Sequence, residues 1–448
     1  MMRLIIILLT IVTALAGCQN DDSFTTGRGA LLSFDADTLR MDTVFSRTAS
    51  RTYTFWVRNN NSDGLRIESV RLARRNQTGF RVNVDGTYLD NSNGSQTNGL
   101  EIRGEDSLLV FVELTAAETL QLEPQKVEDR LVFTLESGTE QSVLLEAWAW
   151  DAERIGRLTV ASDTVIESAR PLVVTEQIRV AEGATLTLRG TTLYFHDGAG
   201  IEVGGTLRAE NCTLRGDRLD RMFDYLPYDR VSGQWGGVCF LASSTDNVLT
   251  DTELRNASDA IRCDSAALDS TRVRLRMERC TVHNAEGTGI AAVNTYLVLR
   301  QCQLTNTLGP CLAVYGGIAE VSRCTIAQFY PFSADRGPTI FFSNGWGGEP
   351  VPLLRLTCQE SILTGYEEDV WVGAPIDSTT VFNYRFANSL VRSPKVETAD
   401  SIHFSDIRWE SPKDSIQGVK HFVTIDEDNL VYDFRLDSLS TAKGLGCY

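Results

Sequence analysis

Between residues 215 and 235 acids, arginines and aromatic rings alternate. Asp217, Arg218, Asp220, Arg221, Asp224, Tyr225, Tyr228, Asp229 and Trp235 all fall in one short stretch. Carboxylates and guanidinium groups hydrogen-bond hydroxyls, and aromatic faces stack on the apolar faces of sugar rings. Two carboxylates at a suitable separation can also act as acid and base on a glycosidic bond. A second stretch, 329–350, repeats the mixture with Tyr330, Phe332, Asp335, Arg336, Trp346 and Glu349. The same residues suit a plainer purpose, in which Asp–Arg pairs tie the loops down and the aromatics plug gaps beneath them. Composition leaves both readings open.

Other chemistry is poorly represented. Lysine is scarce beyond residue 155, with only Lys395, Lys413, Lys420 and Lys443. His196 lies in a His-Asp-Gly turn and His283 follows Val282, so each reads as a turn or ladder residue rather than a base. No Ser/His/Asp or Cys/His arrangement recurs at consistent positions, and no catalytic residue is assigned. Without a Cys-x-x-Cys pair, and with four scattered histidines, no metal and no cofactor are expected.

The elements that would carry these loops are legible from spacing. Cys280, Cys302 and Cys324 fall 22 residues apart, each two residues ahead of Val282, Leu304 or Ile326. Related phrases occur around Cys212-Thr213-Leu214, Thr252-Glu253-Leu254, Ser361-Ile362 and Ser389-Leu390, at steps of 40, 28, 22, 22, 36 and 28 from Leu214. A second phrase precedes each: Gly200-Ile201, Gly237-Val238, Ala260-Ile261, Gly289-Ile290, Cys311-Leu312 and Thr339-Ile340. Short β-prone runs at a fixed period near 22 mark a coiled parallel sheet. One coil cannot bury its inward side chains alone, but coils stacked ~4.8 Å apart cover one another. The cysteines then form an inward column beside an aliphatic one, since a free thiol packs as a small apolar group.

Three features carry a resemblance. They are Gly183-Ala184-Thr185-Leu186-Thr187-Leu188 leading into Thr192-Leu193-Tyr194-Phe195-His196-Asp197-Gly198, the segment Met222–Tyr228 with Gly216-Asp217-Arg218 before it, and Gln234-Trp235-Gly236-Gly237. In these the chain resembles right-handed parallel β-helix lipoproteins of Bacteroidetes, within the pectin-lyase-like superfamily, over about 155–448. The resemblance implies the fold and no particular activity.

The N-terminus reads as a lipoprotein signal, 1–17. Arg3 precedes the apolar stretch Leu4–Val12, and Leu15-Ala16-Gly17-Cys18 closes it, a stretch too short to span a bilayer as a mature helix. Cys18 is the expected lipidation site and gives the chain a membrane partner through its acyl chains. The acidic tether 18–28 resembles a surface-export signal, so the expected location is the outer membrane, at the cell surface or facing the periplasm. Residues 19–150 hold 20 acidic against 13 basic side chains, and 151–448 hold 39 against 28. Neither part has the basic stripe needed to bind phosphates, which excludes nucleic acid. Nine cysteines remain after Cys18, an odd number that argues against complete disulfide pairing.

Residues 29–150 differ from the rest. Seven short alternating runs, from Leu31–Phe34 to Val143–Trp148, separated by Asn/Gly/Asp turns, predict an immunoglobulin-like β-sandwich. It serves either as a stalk or packing domain or in ligand recognition. The whole is thus an all-β chain, a sandwich at 29–150 followed by a right-handed parallel β-helix at 151–448 whose last strand includes Val431–Leu436. The insertions should leave one edge of the solenoid four rungs, ~20 Å, apart, as two walls of a groove long enough for several sugars. The leading expectation is a non-catalytic module binding a glycan or a protein partner there. The alternative is a polysaccharide lyase or glycoside hydrolase using carboxylates of 215–235.

Overall fold

The computed structural model describes residues 23–448, so the signal segment and Cys18 lie outside the described residues. The chain divides into two compact units between Asp151 and Ala152.

The first unit is a sandwich of two five-stranded sheets. One sheet runs Ser33–Phe34, Tyr53–Arg58, Ser107–Leu114, Phe80–Val84, Thr87–Tyr88. The other runs Thr38–Phe45, Glu140–Trp150, Gln125–Leu135, Leu65–Leu72, Gln96–Ile102. Alternation places Phe55, Val57, Val82, Val110 and Val112 in the core from one sheet, and Ile67, Val70, Phe133 and Leu145 from the other, where a register shift after Ile67 brings Val70 inward. The immunoglobulin-like expectation is met, with more strands than the seven anticipated. Thr38–Phe45 pairs in parallel with Glu140–Trp150.

The second unit is a solenoid of parallel strands. One wall is an 11-stranded sheet from Glu153–Ile155 to Arg408–Glu410; the other two walls belong to a 17-stranded sheet. At Ile290–Arg300 and Leu312–Ser322 those two walls merge into single long strands. The second phrase is in register from Ile201 through Val238, Ile261, Ile290, Leu312 and Ile340. Leu214, Leu254, Val282, Leu304 and Ile326 stack likewise, and all are buried. Beyond Ile326 the pairing partner is Leu363, not Ile362, so the step of 36 read from sequence is 37. Ser361 thereby takes the rung after Cys324.

That column is a corner of the coil. The residue before each rung adopts a left-handed conformation: Asn211, Asp251, Arg279, Gln301, Arg323, Glu360 and Asn388 have φ between 41° and 53°. For a residue with a Cβ this costs ~1 kcal/mol or more. The next side chain holds the corner: Cys212, Thr252, Cys280, Cys302, Cys324, Ser361 and Ser389 each donate to the carbonyl two residues back, at 2.7–3.4 Å. Thiol and hydroxyl are thus interchangeable in one structural role. All nine described cysteines are unpaired.

Val431–Leu436 is not a rung of the solenoid. It pairs antiparallel with Phe422–Asp426 as a hairpin. The hairpin packs Phe422 and Phe434 against Ala327, Phe329, Ile362 and Leu390 of the 11-stranded wall. The tail runs back along the same wall, where Cys447 N–H donates to Thr325 Oγ1 at 3.2 Å and the Tyr448 hydroxyl donates to Gln303 Oε1 at 2.6 Å. A buried cluster fixes this return. Glu410 accepts from Arg392 at 2.6 Å, Thr364 at 2.9 Å and the Gly418 N–H at 2.6 Å, and lies 3.1 Å from His421 Nε2. His421 Nδ1 is 3.0 Å from Ser440 Oγ. A Ser–His–Glu sequence of contacts is present, but His421 is wholly buried and Ser440 4% exposed. It is a clasp, closed to substrate.

Candidate functional site

The site is built where two successive rungs of the 11-stranded wall end. Thr192–Phe195 and Thr213–Gly216 pair residue for residue, Phe195 opposite Gly216. The next residues, His196 and Asp217, therefore meet across the rung, and His196 Nδ1 lies 2.8 Å from Asp217 Oδ2. Asp217 is buried, while the imidazole is 55% exposed. With its proton on Nδ1 the ring donates to Asp217 and leaves Nε2 toward solvent as an acceptor.

The chain then makes its long excursion. Arg221–Phe223 and Leu226–Pro227 form a small hairpin, and a turn of 3-10 helix, Tyr228–Arg230, brings the chain back. Gln234 anchors the return by donating to the carbonyls of Tyr228 and Val231, with its side chain packed flat on Gly216, where any Cβ would collide with it. Gly233 has φ +76°, a conformation side chains rarely adopt, and lies against the Glu286 carboxylate, which would have to swing aside for any Cβ. The result is a cleft of about 310 Å³ lined by His196, Asp197, Asp217, Arg218, Met222, Tyr228 and Gln234 among others.

Ten residues were singled out from the sequence. Three of them, Asp217, Arg218 and Tyr228, line this cleft. The Arg218 guanidinium sits 4.3 Å over the Tyr228 ring and is held from below by Asp220, at 2.8 and 2.5 Å. Burial opposes its charge, but pairing with Asp220 outweighs burial and raises its pKa. Asp220 itself is 1% exposed. Asp229 is placed between Arg215 at 2.9 Å and Arg255 at 3.1 Å. Arg221 donates to the backbone carbonyl of Asp224. Tyr225 is 80% exposed and stacked on Phe223 at 5.7 Å, outside the cleft lining.

Two of the ten sit elsewhere. Trp235 is 1% exposed, stacked on Phe195 at 4.4 Å, with its indole N–H donating to Arg255 O; it is a core residue. Trp346 is in a separate hairpin, Gly345–Trp346 with Glu349–Pro350, against Tyr315 of the 17-stranded sheet at 4.5 Å. The two insertions do not form separated walls of a groove. Ser232 Oγ and Tyr330 OH are 2.8 Å apart, and Arg230 reaches the carbonyl of Asn429. The returning C-terminal hairpin fills the space between, with Tyr432 and Phe434 against His283 at 5.7 and 6.2 Å. Burial and the nearby Arg255 charge bring the His283 pKa down to about 4, which leaves it a neutral, weak base near neutrality. What remains open is a pocket.

His196, Asp197, Met222 and Gln234 were not among the sequence candidates. A signal for His196 exists: it precedes Asp217 by 21 residues, the same separation as Thr192 from Thr213, so both occupy one position on successive coils.

This geometry defines a right-handed parallel β-helix carrying a side pocket beside one wall. A family model described as "Right handed beta helix region" matches residues 163–326. No curated protein matches the chain in sequence. Among solved structures, the chain is similar to the catalytic domain of a GH87 alpha-1,3-glucanase in complex with tetrasaccharides, at 8% identity and TM-score 0.33, covering 81% of this chain and 89% of that one. The catalytic unit of the thermostable GH87 alpha-1,3-glucanase from Streptomyces thermodiastaticus is similar at 11% identity and TM-score 0.28, with 80% and 89% covered. A family 123 glycoside hydrolase from Clostridium perfringens is matched at 6% identity and TM-score 0.20, over 29% of this chain and only 30% of that one.

Proposed function

We propose that this chain is an exported, lipid-anchored envelope protein that binds a neutral glycan in the His196–Arg218–Tyr228 cleft. The observation that supports it is the division of labour among charges in the insertion. Asp220 and Asp229 are paired with arginines, whereas the cleft presents an imidazole, an aromatic ring and the unburied Asp197 to solvent. A volume of about 310 Å³ is at the small end for ligand sites. It suits the end of a sugar chain rather than several units in a row. The acidic surroundings disfavour polyuronates, which share their charge. Cys18 and the apolar stretch before it support the anchor; a Cys18→Ser variant should leave the membrane fraction on fractionation.

A second reading is catalytic, and the His196–Asp217 pair favours it. An exposed imidazole held by a buried carboxylate is the arrangement a general base requires. In this reading the agent is His196 rather than a pair of insertion carboxylates. Calorimetry and reducing-end release on one panel of neutral oligosaccharides separate the two. Binding without turnover supports the binder, and turnover abolished by His196→Ala supports the enzyme. Silence in both assays sinks both readings.

A further inference from the structure

The outward face of the first sandwich sheet gathers three exposed aromatic rings on a surface with no internal role. Register places Tyr88 beside Asn83, Asn83 beside Phe111, and Phe111 beside Thr54, in one row across four strands. In the next row Arg81 stands beside Glu113, and on the other side Trp56 beside Leu109. Tyr88, Phe111 and Trp56 are 48%, 38% and 40% exposed, although the opposite face of the same strands supplies a complete core.

Between the rings is a cleft of about 180 Å³ lined by Thr52, Arg81, Asn83, Tyr88, Phe111 and Glu113. Its charges cancel: Arg81 Nη2 donates to Glu113 Oε2 at 2.9 Å, and Thr52 donates to Glu113 Oε1 at 2.6 Å. The Arg81 and Glu113 side chains, 41% and 36% exposed, line the cleft together with Asn83, so guanidinium and amide N–H donors and a carboxylate acceptor face a ligand there. A sugar hydroxyl both donates and accepts, and its ring carries the apolar C–H face that an aromatic ring accepts. Tyr88 and Phe111 are two strands apart, ~9.5 Å by strand spacing, about the length of a disaccharide.

We infer that this face is a second saccharide site, for a neutral glycan chain lying across the strands with its rings on Tyr88 and Phe111 and hydroxyls on Arg81 and Asn83. It stands on its own observations and does not require the solenoid cleft to bind the same ligand. An acidic ligand is disfavoured by Glu113 and an apolar partner by the polar Arg81, Asn83 and Glu113 side chains that line the cleft.

The test uses the full chain in affinity electrophoresis through gels containing hydroxyethylcellulose, β-glucan, xylan, galactomannan or glycogen. At least one polymer should retard the protein. Phe111→Ala and Tyr88→Ala should each weaken that retardation about tenfold, and Asn83→Ala severalfold. These variants are compared in an Arg218→Ala background, which disables the solenoid cleft, so that the retardation read is that of the sandwich face. Unchanged melting temperatures would show that the loss is not unfolding, because these side chains face solvent. The inference is overturned if no polymer retards the protein, or if retardation survives both aromatic substitutions.

Discussion

The backbone N–H of Cys302 points at the sulfur of Cys324 at 3.5 Å, while the Cys324 thiol donates to the Ser322 carbonyl at 3.3 Å. One rung further, Cys324 N–H donates to Ser361 Oγ at 3.1 Å, and Ser361 N–H to Ser389 Oγ at 3.0 Å. The column is a hydrogen-bonded ladder in which each side chain closes its own corner and receives the N–H of its neighbour. Cys302→Ser should therefore cost no more than about 1 kcal/mol, since a hydroxyl makes the same contacts. Cys302→Met should cost about 1–3 kcal/mol by overpacking. Urea unfolding of the two variants measures both.

Thiol reactivity should follow the same architecture. Burial pushes Cys263, Cys311 and Cys358 up to about 12 and raises Cys302 as well, while Cys280 is raised by its hydrogen bond with Cys302 and by burial. The thiolate is the reactive form, so these side chains should resist a disulfide reagent at neutral pH. Among the described cysteines, Cys239 and Cys447 alone are not fully buried. Titration of the native protein should label no more than these two of the nine cysteines after Cys18, and labelling in denaturant should reach all nine.

The clasp at Glu410 predicts a pH dependence with a definite sign. Burial would raise the Glu410 pKa, but His421, Arg392 and Thr364 hold the carboxylate and bring it below its ordinary value of 4.5. A depressed folded pKa contributes stability above the unfolded value, and that contribution is lost as pH falls through the folded one. Glu410→Gln should lose about 3 kcal/mol at pH 7, as expected when one partner leaves a buried ionic cluster. The gap in melting temperature between wild type and variant should shrink steadily below pH 4.5. A gap independent of pH would contradict the charge-based clasp.

Trp235 and Gly216 test different parts of the insertion. Trp235→Ala removes a ring stacked on Phe195 in the core and should destabilise the chain by about 3–5 kcal/mol. Gly216→Ala should act on the cleft instead, because the new methyl displaces Gln234 and frees the return of the loop. The expected outcome is a smaller loss of stability with at least tenfold weaker glycan binding. Calorimetry and thermal unfolding on both variants check the contrast.

What was legible in the sequence was whatever repeats. The cysteine column, the aliphatic column and the Gly-Ile phrase recur because each coil turns identical corners, and their register follows from their spacing. The slip at Ile362 arose because a serine can replace cysteine on the ladder, so an aliphatic neighbour alone does not fix the rung. Val431–Leu436 alternates like a rung strand, and the turn at 426–429 before it has the same composition as the turns between rungs, so nothing marks its pairing with Phe422–Asp426 as antiparallel. Loop contacts such as Ser232 to Tyr330 join residues 98 apart, a distance unrelated to any repeat. Trp235 has the composition of a sugar platform and the position of a core residue; only the fold distinguishes them.

The most direct test of the proposed site is calorimetric titration of the full chain with the neutral oligosaccharide it binds best, in wild type, His196→Ala and Arg218→Ala. Binding should weaken at least tenfold in each variant at unchanged melting temperature. Full affinity in both variants would contradict the assignment of the cleft.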